Sequence, residues 1–197
     1  MEIILASGSP RRKELLSLIC PDFKVIVSGC SETVTQTVPG KIVEELSRQK
    51  AEDVSRQVEA GIVIGSDTIV FLPEGDDEEK GKVLGKPADR EDAFHMIRSL
   101  AGRSHLVFTG VTLIQAEDPK KTETFHCATR VYVHDMSDAE IEHYLDSGEA
   151  FDKAGSYGIQ GAFAAYVDKI EGSYQNVVGL PVAQLYRALC KFTEEAK

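Results

Sequence analysis

Residues 3–16 read IILASGSPRRKELL, and the fold class turns on them. An apolar run, Ile3–Leu5, enters a turn of small residues and then a segment that carries Leu15 and Leu16. Ser9 suits a helix N-cap, and Pro10 suits the first helical position, where its missing N–H costs nothing. Strand, short turn and helix in that order open an α/β fold. The helix also breaks a local rule, because Arg11, Arg12 and Lys13 crowd its first turn, where the macrodipole disfavours cations. Free backbone N–H groups there, with the hydroxyls of Ser7 and Ser9 and the planar forks of Arg11 and Arg12, suit an anion such as phosphate. A Ser-capped surface helix with solvated arginines accounts for the same residues, and the spacing is not that of a Walker loop.

The alternation of short apolar runs with helical patterns continues along the chain. It predicts strands over 2–6, 23–28, 62–72, 105–114, 122–133 and 164–170. Helices are predicted over 10–18, 40–60, 90–100, 137–146 and 181–191. Ser137 and Glu140 form a capping box, and Gly148 stops that helix. The strands at 105–114 and 122–133 flank AEDPKKT and read as an antiparallel hairpin, so the sheet is expected to be mixed. The acidic stretch 73–85, PEGDDEEKGKVLG, reads as an exposed hairpin excursion. At 197 residues the expectation is a single domain over 1–197.

Composition excludes several classes. Acidic residues outnumber basic ones by 32 to 22, for a formal charge of −10, which argues against non-specific nucleic-acid binding. A small polyanion can still bind at a local cluster of cations, since such contacts are short-range and screened beyond about 10 Å. No run approaches the roughly 18 apolar residues of a membrane span, and the immediate opening strand leaves no room for a signal peptide. Cys20, Cys30, Cys127 and Cys190 lack CxxC spacing, so neither a zinc site nor a disulfide framework is expected, and the default compartment is cytoplasmic. The histidines show no HxH or HExxH spacing, which gives no support to a His-based metal site or a Ser–His–Asp triad.

Asp67 stands in the middle of the apolar strand VIGSDTIVFL. A carboxylate there has to be paired, hydrogen-bonded or metal-bound, or its burial would cost several kcal/mol. Backbone N–H groups at a bulge or strand end would satisfy it without any function. The loop SGEAFDKAGSYGIQG sets Asp152, Lys153 and Gln160 among Gly155, Gly158 and Gly161, as a functional loop or as a plain series of turns. Glu32 is a second carboxylate for a metal or a solvated loop residue. Lys50 on a helix reads first as a surface ion pair, and Lys86 in GKP reaches a phosphate or flanks a turn. Anion donors, carboxylates and lysines together suit hydrolysis at phosphorus with a hard divalent cation, Mg²⁺ or Mn²⁺.

The blocks LASGSPRRKELL, SRQKAEDV, VIGSDTIV, GKPADREDAFHMIRSLAGRSHLVFTGV, YLDSGEAFDKAGSYGIQG and IEGSYQNVVGLP, in that order, resemble the Maf family of nucleoside triphosphate pyrophosphatases, within the wider group of ITP pyrophosphatase-like proteins. The resemblance implies a mixed α/β sheet with flanking helices and two lobes around a deep cleft. It implies hydrolysis of a triphosphate between the α and β phosphates, giving a monophosphate and pyrophosphate, with Mg²⁺ or Mn²⁺. Carried over by position, Asp67 is the general base or the metal-linked carboxylate, and Glu32 helps bind the metal. A carboxylate of ordinary acidity is a weak base at neutral pH, which favours the metal-linked role. Ser7, Ser9, Arg11 and Arg12 hold the triphosphate, Lys153 assists in substrate binding, and Lys50 and Lys86 act from the opposite side of the cleft. Arg12, Thr68 and Gln160 match the residues that mark the dTTP- and UTP-preferring branch, against a sister branch that prefers 7-methyl-GTP. The chain departs from the common pattern at Ser66 in GSDT, Gly85 in GKP and Ala150 in SGEA.

Two rival functions follow from the same resemblance. One is a nucleotide-binding regulator of cell division and septum formation with little turnover; the other is a 7-methyl-GTP pyrophosphatase. The expected partner is a nucleoside triphosphate, without nucleic acid or membrane. A homodimer is implied by the resemblance, although no surface stripe demands it.

Overall fold

The computed structural model describes residues 1–75 and 77–194. Asp76, inside the acidic excursion expected around 74–80, lies outside the described residues. Seven strands and flanking helices form a mixed α/β arrangement. The strands are β1 (Ile3–Leu5), β2 (Lys24–Val25), β3 (Ile62–Glu74), β4 (Asp77–Leu84), β5 (Ser104–Gln115), β6 (Asp118–Val133) and β7 (Val167–Glu171). Their order is β2-β1-β3-β5-β6-β7, with β4 paired to β3. β1 runs parallel to β2 and β3, whereas β3–β4 and β6–β7 are antiparallel. The expected mixed sheet is present, and the acidic stretch is a hairpin arm, with Phe71 opposite Val83.

The chain divides into two compact units. Met1–Asp67, Thr109–Cys127 and Gly179–Lys197 make the first, and Thr68–Phe108 and Ala128–Val178 the second. The first contains helices α1 (Pro10–Ser17), α2 (Pro39–Ser55) and, near the end of the chain, α6 (Val182–Glu194). The second contains α3 (Arg90–Leu100), α4 (Asp138–Asp146) and the short α5 (Tyr174–Val178). No described helix is long and apolar enough to cross a membrane.

Most element starts follow local chemistry. Ser9 accepts from the Arg12 N–H and Pro10 opens α1, while Asp89 caps α3 and Ser137 with Glu140 closes the capping box of α4. Several elements differ from expectation: the strand predicted over 23–28 is only Lys24–Val25, and the one predicted from 122 starts at Asp118. The helix predicted over 40–60 ends at Ser55; Val58 continues the apolar spacing but packs on the core of Ile4, Ala51 and Val54 from irregular chain beyond the turn at 56–57. The strand predicted over 164–170 starts later, because Ala162–Tyr166 forms a 3₁₀ turn, whose three-residue repeat brings Phe163 and Tyr166 together at 5.8 Å between ring centres. α5 lies where no helix was predicted; its Asn176 is fully buried and its side-chain N–H donates to the Val107 carbonyl and the Thr129 hydroxyl, tying the helix to β5 and β6.

The core of the second unit holds one ionisable group with a measurable consequence. His105 is fully buried, with Nε2 2.6 Å from the Tyr157 hydroxyl and no partner at Nδ1. Burial, and then the nearby Arg130 charge, push its pKa down from 6.5 to about 3. Between those values the unfolded chain binds the proton and the native state does not, so stability falls as the pH drops. The loss from this one group is about 1.4 kcal/mol per pH unit. In urea denaturation at pH 7 and pH 5, the native sequence is expected to lose about 2 kcal/mol more than His105→Phe across that interval. Equal losses would assign the acid sensitivity to other groups.

Candidate active site

The first unit brings a helix backbone onto a sheet backbone. A Cβ on Gly65 in β3 would lie 2.2 Å from the Ser47 carbonyl oxygen, and one on Gly110 in β5 would lie 2.1 Å from that of Val43. Only glycine at both positions allows α2 to sit this close. Residues 65 and 67 of a strand face the same side, so Asp67 projects toward α2, where Lys50 lies between Ser47 and Ala51 in sequence. Lys50 Nζ donates to Asp67 Oδ1 at 2.5 Å and pairs with Glu32 Oε1 at 3.0 Å. The Lys50 and Asp67 side chains are 15% and 12% exposed, which meets the pairing requirement that a strand carboxylate raises. Asp67 lies inside the span of β3 and not at its end.

Glu32 is more exposed than either, but it is held at the same ammonium. Two carboxylates at one point offer hard oxygen donors suited to Mg²⁺ or Mn²⁺. Among the described residues no group of three or more His, Cys, Asp and Glu side chains could hold a metal ion. The donor set therefore fits an ion that takes one or two carboxylates and completes its shell with phosphate oxygens and water.

The turn into α1 lies in the same unit. The Ser9 N–H donates to Ser7 Oγ at 3.3 Å, and the Arg12 N–H donates to Ser9 Oγ at 3.4 Å. The Arg12 side chain folds back, donating from Nη1 to Ser7 Oγ at 3.3 Å and from Nε to the Gly179 carbonyl at 2.9 Å. Ser66 Oγ donates to that same carbonyl at 3.3 Å, so the departure at Ser66 has a partner. Burial lowers the Arg12 pKa; Asp67 opposes this, Arg11 adds to it and Glu32 opposes it. A guanidinium still stays charged at neutral pH. Lys50, expected opposite the phosphate-binding turn, belongs to the same compact unit as that turn.

Thr68, Lys86, Lys153 and Gln160 belong to the second unit. Lys86 and Gln160 are exposed, whereas Thr68 and Lys153 are half-buried. Lys153 Nζ donates to the Glu149 carbonyl at 2.6 Å and pairs with Asp152 at 2.5 Å. The Glu149 carboxylate accepts from the Ala162 N–H at 3.0 Å, so one residue holds Lys153 and the end of the turn that carries Gln160. The Gly155 N–H donates to the Gly85 carbonyl at 3.0 Å, a link through backbone atoms that the missing side chain at Gly85 leaves intact. Sequence reasoning passed over Glu149 and Gly179 because both act partly or wholly through backbone oxygens. The blocks SGEA and VVGLP were the available signal.

A family model described as Maf-like protein matches residues 2–192. A relative from Carboxydothermus hydrogenoformans named dTTP/UTP pyrophosphatase is 49% identical over 189 residues, covering 96% of this chain and 97% of its own. One of the same name from Lachnoclostridium phytofermentans is 46% identical over 194 residues, covering 97% and 95%. Among solved structures, a HAM1 protein from Coxiella burnetii aligns over 97% of this chain and 99% of its own, with a TM-score of 0.52 and 14% identity. That likeness bears on the fold alone.

The pairing of Lys50 is directly testable. Lys50→Met strands two carboxylates beside the helix backbone and is expected to cost about 1–3 kcal/mol of stability in chemical denaturation. Adding Asp67→Asn is expected to restore part of that loss, because the two residues share one interaction. Additive losses in the double variant would show that the pair is not coupled.

Proposed function

The chain belongs to the Maf-like protein family, and on that premise we propose that it hydrolyses dTTP and UTP between the α and β phosphates. It is a nucleoside triphosphate pyrophosphatase, and its products are the nucleoside monophosphate and pyrophosphate. The observation that carries this reading is near-half identity, over almost the full length of both chains, to relatives named dTTP/UTP pyrophosphatase. The presence of Arg12, Thr68 and Gln160 supports the pyrimidine preference.

Each residue has a role that its chemistry suits. Ser7, Ser9 and the α1 backbone N–H groups donate to phosphate oxygens, with Arg11 and Arg12 supplying charge and planar donors. Arg12 is held by the Gly179 carbonyl and Ser7 before substrate arrives, which reduces the ordering cost of binding. Asp67 and Glu32 would hold Mg²⁺ or Mn²⁺, and the ion would neutralise phosphate charge and acidify water. Lys50 holds both carboxylates and keeps their mutual repulsion low. Lys86 and Lys153 offset charge on the phosphates, while Thr68 and Gln160 select the base by hydrogen bonding.

A panel of nucleoside triphosphates with Mg²⁺ or Mn²⁺, read by pyrophosphate release, tests the reading. dTTP and UTP are expected to lead the panel. Asp67→Asn is expected to lower turnover by about 10²–10⁴-fold and to raise the metal concentration needed for half-maximal rate. No release from any nucleotide would overturn the enzymatic reading, and preference for 7-methyl-GTP would overturn the substrate. Full metal affinity with lost turnover in Asp67→Asn would make Asp67 the base and not the metal ligand.

A further inference from the structure

Residues 26–37, between β2 and α2, form no helix or strand, yet they carry Glu32. One face of α2 holds this segment through Asp53, Gln49 and Glu45, spaced four residues apart and therefore stacked on successive turns. Asp53 Oδ2 accepts from Ser28 Oγ at 2.8 Å and from the Gly29 N–H at 2.9 Å. The Gln49 amide bonds the Thr33 peptide groups twice: Oε1 accepts from the Thr33 N–H at 3.0 Å, and Nε2 donates to the Thr33 carbonyl at 2.6 Å. Glu45 accepts from the Thr35 N–H at 2.8 Å, the Thr35 hydroxyl at 2.6 Å and the Gln36 N–H at 3.3 Å.

The outer two anchors do not fix the middle. From Asp53 to Glu45 the helix rises about 12 Å, whereas the chain from Gly29 to Thr35 can extend to about 20 Å. Tied only at its ends, the segment has several ångströms of slack, and Glu32 lies inside it. Gln49 removes that slack one residue from Glu32, and the adjacent Lys50 takes the Glu32 carboxylate at 3.0 Å. The amide both accepts from the Thr33 N–H and donates to the Thr33 carbonyl; a carboxylate could only accept and would face that carbonyl with like charge.

We propose that Gln49 is a positioning residue that sets Glu32 beside Asp67 for the divalent ion. This rests on the reading of Glu32 and Asp67 as metal-binding carboxylates. Gln49→Met, of similar length and without either hydrogen bond, is expected to weaken Mn²⁺ binding to the nucleotide-free protein about tenfold, as loss of support behind a metal ligand does. The readout is the free-ion electron paramagnetic resonance signal. Gln49→Glu is expected to weaken it at least as much, and Thr35→Val, which removes one outer hydroxyl bond, to leave it unchanged. Thr33 amide exchange should quicken in both Gln49 variants, while the KM for dTTP at saturating metal stays within about twofold, since the loss falls on the metal. Glu32→Gln separates the two layers of the argument. If it weakens Mn²⁺ binding and Gln49→Met does not, the positioning role is overturned and the carboxylate reading stands. If Glu32→Gln leaves Mn²⁺ binding unchanged, the metal role of Glu32 falls and the proposal falls with it.

Discussion

The contact between α2 and the sheet is made of backbone on both sides, and the first unit is organised around it. Gly65 and Gly110 leave no side chain between the strands and the Val43 and Ser47 carbonyls, so the helix axis is drawn inward further than ordinary side-chain packing allows. From that position the buried residues of α2, such as Val43, Ala51 and Val54, close the core. A lysine on the flank of the same helix then reaches a carboxylate in the middle of a strand. A side chain at residue 65 would have to push away the helix that neutralises residue 67. Core packing and the pairing of Asp67 are thus one constraint and not two.

That constraint shows how charges of both signs gather at the place in an acidic protein where a polyanion site is proposed. Asp67 and Glu32 share the Lys50 ammonium, and Asp67 and Glu32 also act on Arg12, which Arg11 neighbours. Three cations face two carboxylates over a short range, while the formal charge of −10 is spread over a surface where salt screens it beyond about 8–10 Å. The sign of the whole chain therefore says little about the sign at this turn. The two carboxylates belong there if they gather a cation that the phosphates share, which is how a hard divalent ion is ordinarily held.

The fold was legible in the sequence wherever a local rule decided it. Ser9 with Pro10, and Ser137 with Glu140, marked helix starts because capping is settled within a few residues. Legibility failed where spacing was ambiguous: Val58 keeps the helical period beyond the end of α2, and Ala162–Tyr166 carries apolar residues that suit a strand or a 3₁₀ turn equally. The site was legible as residue types and not as pairs. Lys50 looked like a surface ion pair, Glu32 like a metal ligand or a loop residue, and Glu45, Gln49 and Asp53 drew no reading at all. What joins the last three to the segment that carries Glu32 is hydrogen bonding to backbone atoms 9 to 24 positions away, and a backbone acceptor or donor leaves no mark on residue identity. The resemblance carried Glu32 and Asp67 together; it could not carry what holds them.

The cations in the first turn of α1 pose the question of why a dipole's positive end would gather positive side chains. Arg12 answers half of it. Its Nε–H points to the Gly179 carbonyl, a fixed partial negative charge, and its guanidinium lies within the influence of Asp67 and Glu32. Those partners offset the repulsion at the helix end and hold the guanidinium in one orientation. A carbonyl oxygen has two lone pairs, so the extra hydroxyl of Ser66 can share Gly179 without displacing Arg12. On the reading proposed above, a bound ligand adds further negative charge at this turn. A triphosphate supplies that negative charge in a form to which planar forks and backbone donors can both bond.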